Sequence, residues 1–156
     1  MRNGTQATTY ESYQGNSYRV DLGGKNLLAY DNGTYTNAGV TTINTNNNYV
    51  YSGTVTQTYF RLNTTAYFDI PAGTYTLSRN VADNGRLTLR LYWKDSTYTN
   101  YTISNGTTST TFTTTQKSNR SYLYIQGLTA DTYYSGNVNI QLEKRKSSNS
   151  FQSLCI

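Results

Sequence analysis

The 156-residue chain suits one domain with its own core; it is 35% hydrophobic and 13% charged, and carries 17 Tyr. So little charge beside so many aromatics excludes ordinary disorder, and abundant Thr and Tyr favour pleated, half-exposed surfaces. The net charge is +5, but Arg19, Arg61, Arg79, Arg86, Arg90 and Arg120 stand apart and only Lys144-Arg145-Lys146 is clustered. A nucleic-acid partner, which calls for basic residues concentrated on one face or helix, is therefore not expected. A mildly basic surface would still favour anionic polymers such as phosphate-bearing glycans.

In chain order, residues 1–16 are polar and aperiodic and are read as a linker arm; 17–146 form the folded module and 147–156 a tail. Tyr18, Val20 and Leu22 alternate with Arg19 and Asp21, the period of a half-buried strand. Gly23-Gly24 ends it, and Asn26-Leu27-Leu28 opens the next piece. Strands are expected over 40–45, 48–56 and 65–70, with Pro71-Ala72-Gly73 marking the boundary before another at 74–79. Asn84-Gly85 predicts a hairpin joining 74–79 to 86–93. In that last strand Leu87, Leu89, Leu91 and Trp93 share one face and are expected in the core. Further strands are expected at 97–103 and 109–114 around Asn105-Gly106. Alternation at Leu123 and Ile125, and at Val138, Ile140 and Leu142, adds two more. No stretch has a helical apolar stripe. Many short strands with regular turn signals predict an all-β fold, a jelly-roll-like antiparallel β-sandwich.

Several chemistries are missing from the sequence. It contains no His and a single Cys, Cys155, so the usual general base, an intrachain disulfide and thiolate metal sites are all excluded. No phosphate-binding glycine loop or dinucleotide fingerprint occurs. The carboxylates are few, and nothing sets two of them across a cleft as a glycosidase requires. The expectation is no enzyme, no catalytic residue, no metal site and no cofactor; a structural calcium ion has oxygen ligands available but no acidic loop to hold it. No apolar run is long enough to span a membrane, and Met1-Arg2-Asn3-Gly4-Thr5 leads into no signal-peptide core.

Alternation predicts outward rows of a different character. Arg90 and Tyr92 lie opposite the leucines; Tyr122, Tyr124 and Gln126 form a second row, and Asn139 and Gln141 a third. Tyr98 and Tyr101, beside the Asn105-Gly106 turn, are further candidates, read as loop residues. Aromatic rings can lie on the apolar faces of pyranoses while amides and guanidinium groups bond their hydroxyls, so the rows are candidate glycan-binding residues. The same tyrosines could equally stabilise the sheet or pack against another subunit.

Asn139-Ile140-Gln141-Leu142-Glu143-Lys144 resembles the closing strand of the carbohydrate-binding-module-like domains of bacteriophage tail, tail-fibre and baseplate proteins. Residues 7–18 resemble the junction that follows such a strand, and Val20-Asp21-Leu22-Gly23-Gly24-Lys25-Asn26-Leu27-Leu28 the opening of the next module. Segments 86–94 and 121–127 share the family's look. Arg145 departs from it, standing where the family usually has Gly. The resemblance implies a virion protein made in the bacterial cytoplasm, binding host cell-wall polysaccharide or another surface glycan beside other tail proteins. It is compatible with a homo-oligomer. The alternative it leaves open is a structural spacer, decoration or oligomerisation module without a sugar ligand. It transfers no binding residue.

Overall fold

The computed structural model describes residues 25–64, 69–82 and 85–145. The expected arm, the strand around Tyr18–Leu22, most of 65–70, the Asp83-Asn84 part of the turn and the tail lie outside those residues. Within them the chain is all-β, with ten strands in two antiparallel sheets. These are β1 (Gly33–Asn37), β2 (Val40–Thr45), β3 (Asn48–Val55), β4 (Tyr59–Arg61), β5 (Gly73–Arg79), β6 (Arg86–Tyr92), β7 (Tyr98–Ile103), β8 (Ser109–Thr114), β9 (Arg120–Gln126) and β10 (Thr132–Lys144). One sheet runs β1-β2-β3-β10-β5-β8 and the other β4-β9-β6-β7. From β3 onward this is the eight-stranded double Greek key of a jelly roll, with the β1–β2 hairpin added at the β3 edge.

That hairpin follows from turn chemistry. Asn37 pairs with Val40 across Ala38 (φ 52°) and Gly39 (φ 84°), and Thr45 pairs with Asn48 across Asn46 (φ 51°) and Asn47 (φ 66°). Positive φ at both central residues is what a two-residue turn needs to match the strand twist. Strand β10 then spans the sheet: Thr132–Asn139 pair with β3 and Ile140–Lys144 with β5. Asn26 docks beside its second half, donating from Nδ2 to the Ile140 carbonyl (2.9 Å) and accepting at Oδ1 from the Leu142 amide (3.1 Å).

The core forms where the inward faces meet. Leu87, Leu89, Leu91, Leu123 and Ile125 of one sheet oppose Tyr75, Leu77, Val138, Ile140 and Leu142 of the other, all buried. Each fully buried Leu or Ile contributes about 1.5–3 kcal/mol. Trp93 is buried in phase with the leucines, as its spacing predicts, and its indole N–H donates to Thr99 Oγ1 (3.0 Å). Tyr30 reaches across to Ser121, hydroxyl to hydroxyl at 2.6 Å.

The expected hairpin between 74–79 and 86–93 does not form. Strand β5 pairs with β10 and β8, while β6 lies in the other sheet between β9 and β7. Asn84-Gly85 predicts a tight turn from local chemistry alone, whereas the strands on either side of it belong to different sheets. Arg79 holds that crossing. Its buried guanidinium donates to the carbonyls of Gly85 (3.1 Å), Ser104 (3.1 Å) and Thr107 (2.9 Å), so it binds both the β5–β6 and β7–β8 connections. Gly106 N to Ala82 O (3.1 Å) joins the two directly.

Arg79→Met keeps the aliphatic stem but leaves those carbonyls without their donors. It is expected to cost about 3 kcal/mol of stability, measured by urea unfolding. A loss under about 0.5 kcal/mol would show that the loops hold themselves.

Candidate functional site

In the four-stranded sheet, every residue opposite the core belongs to one outward surface. The registers Arg61↔Tyr124↔Thr88↔Thr102, Tyr122↔Arg90↔Asn100 and Arg120↔Tyr92↔Tyr98 set these side chains in rows across the strands, and Tyr59↔Gln126↔Arg86 closes one end. Arg90, Tyr92, Tyr122, Tyr124 and Gln126, five of the residues singled out by alternation, are thus brought together with Tyr98. Asn139 and Gln141 are not: β10 belongs to the other sheet, and they face away on the opposite side of the sandwich. Tyr101 is a residue of β7 rather than of a loop and points to the interior side, stacked on Phe112 with ring centroids 3.9 Å apart. Tyr98 also lies in β7, on the outward side.

The surface is held by guanidinium–ring contacts. Arg90 sits over Tyr98 (4.1 Å to the centroid) and Tyr124 (4.8 Å), and its Nε donates to Asn100 Oδ1 (2.8 Å). Arg61 lies over Tyr122 (4.6 Å) and also bonds the Tyr35 hydroxyl, while Arg120 lies over Tyr92 (4.0 Å). Tyr92 packs edge-on to Tyr122 (5.8 Å), which meets Tyr124 the same way. Each arginine stacking of this kind contributes about 0.5–2 kcal/mol and fixes a long side chain that would otherwise sample many rotamers. At the floor, Thr88 is fully buried although it faces outward, donating to Gln126 Oε1 (2.7 Å) and bonded to Thr102 (3.0 Å). Tyr124 is also covered, beneath Arg90 and Tyr59. The rings open to solvent are Tyr98 (49% exposed) and Tyr59 (39%), with Tyr92 and Tyr122 half-buried between them.

Sequence reading missed Tyr59, Arg61, Arg120 and Tyr35. Strand β4 is only three residues long, too short for a period to register, while Arg120 stands two before Tyr122 and could have been found by extending that row. Tyr35 comes from β1 of the other sheet, which no local pattern reveals. Beyond it lies a cleft of about 390 Å³ lined by Tyr30, Asp31, Asn32, Asn44, Leu62 and Asn63 among others. Among the described residues no three His, Cys, Asp or Glu side chains gather to hold a metal ion, and no helix is long and apolar enough to cross a membrane.

No family model matches the chain, and no curated protein matches it. Among solved structures it is similar to a point mutant of CBM29-2, from work probing ligand recognition by family 29 carbohydrate-binding modules. The identity is 14% and the TM-score 0.35, over 74% of this chain and 78% of that one.

The phenols carry their own prediction. Burial pushes the Tyr30, Tyr49, Tyr75, Tyr101 and Tyr124 hydroxyls above their ordinary value of 10.0; nearby Arg90 and Arg61 only partly offset this at Tyr124. A raised phenol pKa means the folded state retains protons that the unfolded state gives up. Stability from this source is therefore complete below pH 10 and falls as pH rises above it. Ultraviolet titration should show that a distinct class of tyrosines ionises only with unfolding. A single class, ionising while near-ultraviolet dichroism is retained, would contradict this burial.

Proposed function

We propose that the outer face of the four-stranded sheet is a non-catalytic glycan-binding surface. The observation that carries this reading is the Arg90 guanidinium lying over Tyr98 and Tyr124 while its Nε is tied to Asn100. Rings, amides and guanidinium groups are thereby presented together in one rigid layer. Sugars ask for flat apolar surface beside fixed hydrogen-bond partners, and fixing both beforehand lowers the entropy cost of binding. The half-exposed Tyr98, Tyr92 and Tyr59 supply rings; Asn100, Gln126 and the arginine edges supply donors and acceptors.

The reading extends to a bacteriophage tail, tail fibre or baseplate, where the module attaches the virion to cell-wall polysaccharide of the host. The support is the resemblance of 139–144 and 7–28 to module junctions of such proteins. A weak single site suits that setting, since display in several copies raises avidity about 10²–10⁴-fold without any new contact.

A structural reading has its own observation. Ile43 (48% exposed) and Val50 (45%) are register partners on the outer face of the six-stranded sheet, and Tyr133 is 64% exposed on that face. Apolar side chains placed there could meet a neighbouring subunit or module of a tail. Light scattering with size exclusion separates the two: an oligomer broken by Ile43→Lys with Val50→Lys, and indifferent to every glycan, favours the structural role.

For the glycan role, the measurement is binding to host cells and a glycan array, comparing the wild type with a Tyr92→Ala/Tyr98→Ala double variant. Removing two rings of a central contact should weaken binding at least tenfold, about 1.4 kcal/mol or more, in a variant whose circular dichroism and cooperative unfolding show that it remains folded at the assay temperature. Unchanged binding would rule the face out.

A further inference from the structure

Among the described residues, the cations of this face are gathered without an ion-pair partner. Arg61 comes from β4, Arg86 and Arg90 from β6 and Arg120 from β9, and all four belong to the outward rows. None of the four strands of this sheet carries an acidic residue. The nearest acid along the described chain, Asp95, stands in the β6–β7 turn and accepts from the Thr97 amide and hydroxyl. The opposite practice occurs elsewhere on the molecule, where Lys117 pairs with Asp69 at 3.4 Å.

Strands about 4.8 Å apart and outward positions about 6.8 Å apart set the backbones of Arg90 and Arg120 about 8 Å apart, within a Debye length of about 8–10 Å, and those of the other neighbouring arginines about 12–14 Å apart, within reach of one another along their long side chains. They repel one another, and rings rather than carboxylates hold three of them in place. A guanidinium stacked on a ring uses its flat face and keeps in-plane N–H donors for oxyanions. A neutral sugar needs no such concentration of charge, because amides and hydroxyls meet its groups equally well. An anion relieves the repulsion and takes up the free donors.

We infer that the ligand of this face is an acidic polysaccharide, one bearing carboxylate or phosphate groups, bound across the arginine rows with its sugar rings against Tyr92 and Tyr98. This rests on the glycan reading and goes further, assigning the charge of the ligand. Arg86 and Arg120 act as anion contacts toward opposite ends of the rows, and Arg90 serves both the ring platform and the anion.

The test uses the full chain and matched polymers in affinity electrophoresis or calorimetry: polygalacturonate against its methyl-esterified neutral form, and phosphomannan against mannan, with oligo-dT as a control polyanion. Wild type should bind at least one acidic polymer about tenfold or more tighter than its neutral counterpart, and raising salt from about 50 to 500 mM should remove most of that difference. An Arg86→Gln/Arg120→Gln variant, checked for an unchanged unfolding midpoint, should lose the same preference. Preference for phosphomannan alone or polygalacturonate alone identifies the anion as phosphate or carboxylate. Equal, salt-insensitive binding of the neutral polymers, lost with Tyr92→Ala/Tyr98→Ala but not with the arginine variant, would overturn the acidic ligand and leave the glycan reading standing. Binding to no polysaccharide would overturn both, and oligo-dT binding tighter than any polysaccharide would assign the face to single-stranded nucleic acid.

Discussion

The structure depends on burial of every second side chain between two sheets. Leu87, Leu89 and Leu91, with Leu123 and Ile125, are removed from water against Tyr75, Leu77, Ile140 and Leu142. Because strand side chains alternate, fixing that inward set also fixes which residues look outward. A slip of one residue would exchange them wholesale, so the same burial that stabilises the sandwich sets the composition of its surface. Arg90, Tyr92, Tyr122 and Gln126 meet on one face because their neighbours are leucines and isoleucines.

Long-range contacts complete what alternation begins. Arg79 binds the two connections that cross between the sheets, and Asn26 docks the segment before β1 beside β10. On the outer face, guanidinium–ring stacking replaces ion pairing. The outcome is a surface that is aromatic, hydrogen-bonding and cationic at once, with side chains restrained by one another rather than by a ligand.

Much of this was legible in the residues. Val40–Thr45 and Ser109–Thr114 are strands with the bounds their composition suggests, and the leucine phase of β6 places both the core and Trp93 correctly. Strand pairing was not legible. Asn84-Gly85 resembles a hairpin turn locally, yet β5 and β6 lie in different sheets because a jelly roll pairs most strands with partners distant in sequence. The same distance hid the site: arginines that look scattered along the chain come from three strands that lie side by side. Asn139 and Gln141 have the right chemistry and alternation but belong to the far sheet, and Tyr101 has the right chemistry and the wrong phase. The turns through Ala38-Gly39 and Asn46-Asn47 were not singled out, although asparagine tolerates the positive φ that the second pair adopts.

The central claim is that ligand recognition occurs on the face formed by β4, β9, β6 and β7. Amide chemical-shift mapping during titration with a bound oligosaccharide tests it most directly. The account predicts perturbations concentrated at 59–61, 88–92, 98–102 and 120–126. Perturbations confined to the cleft around Asp31 and Asn63, or to the Ile43–Val50 surface, would contradict it.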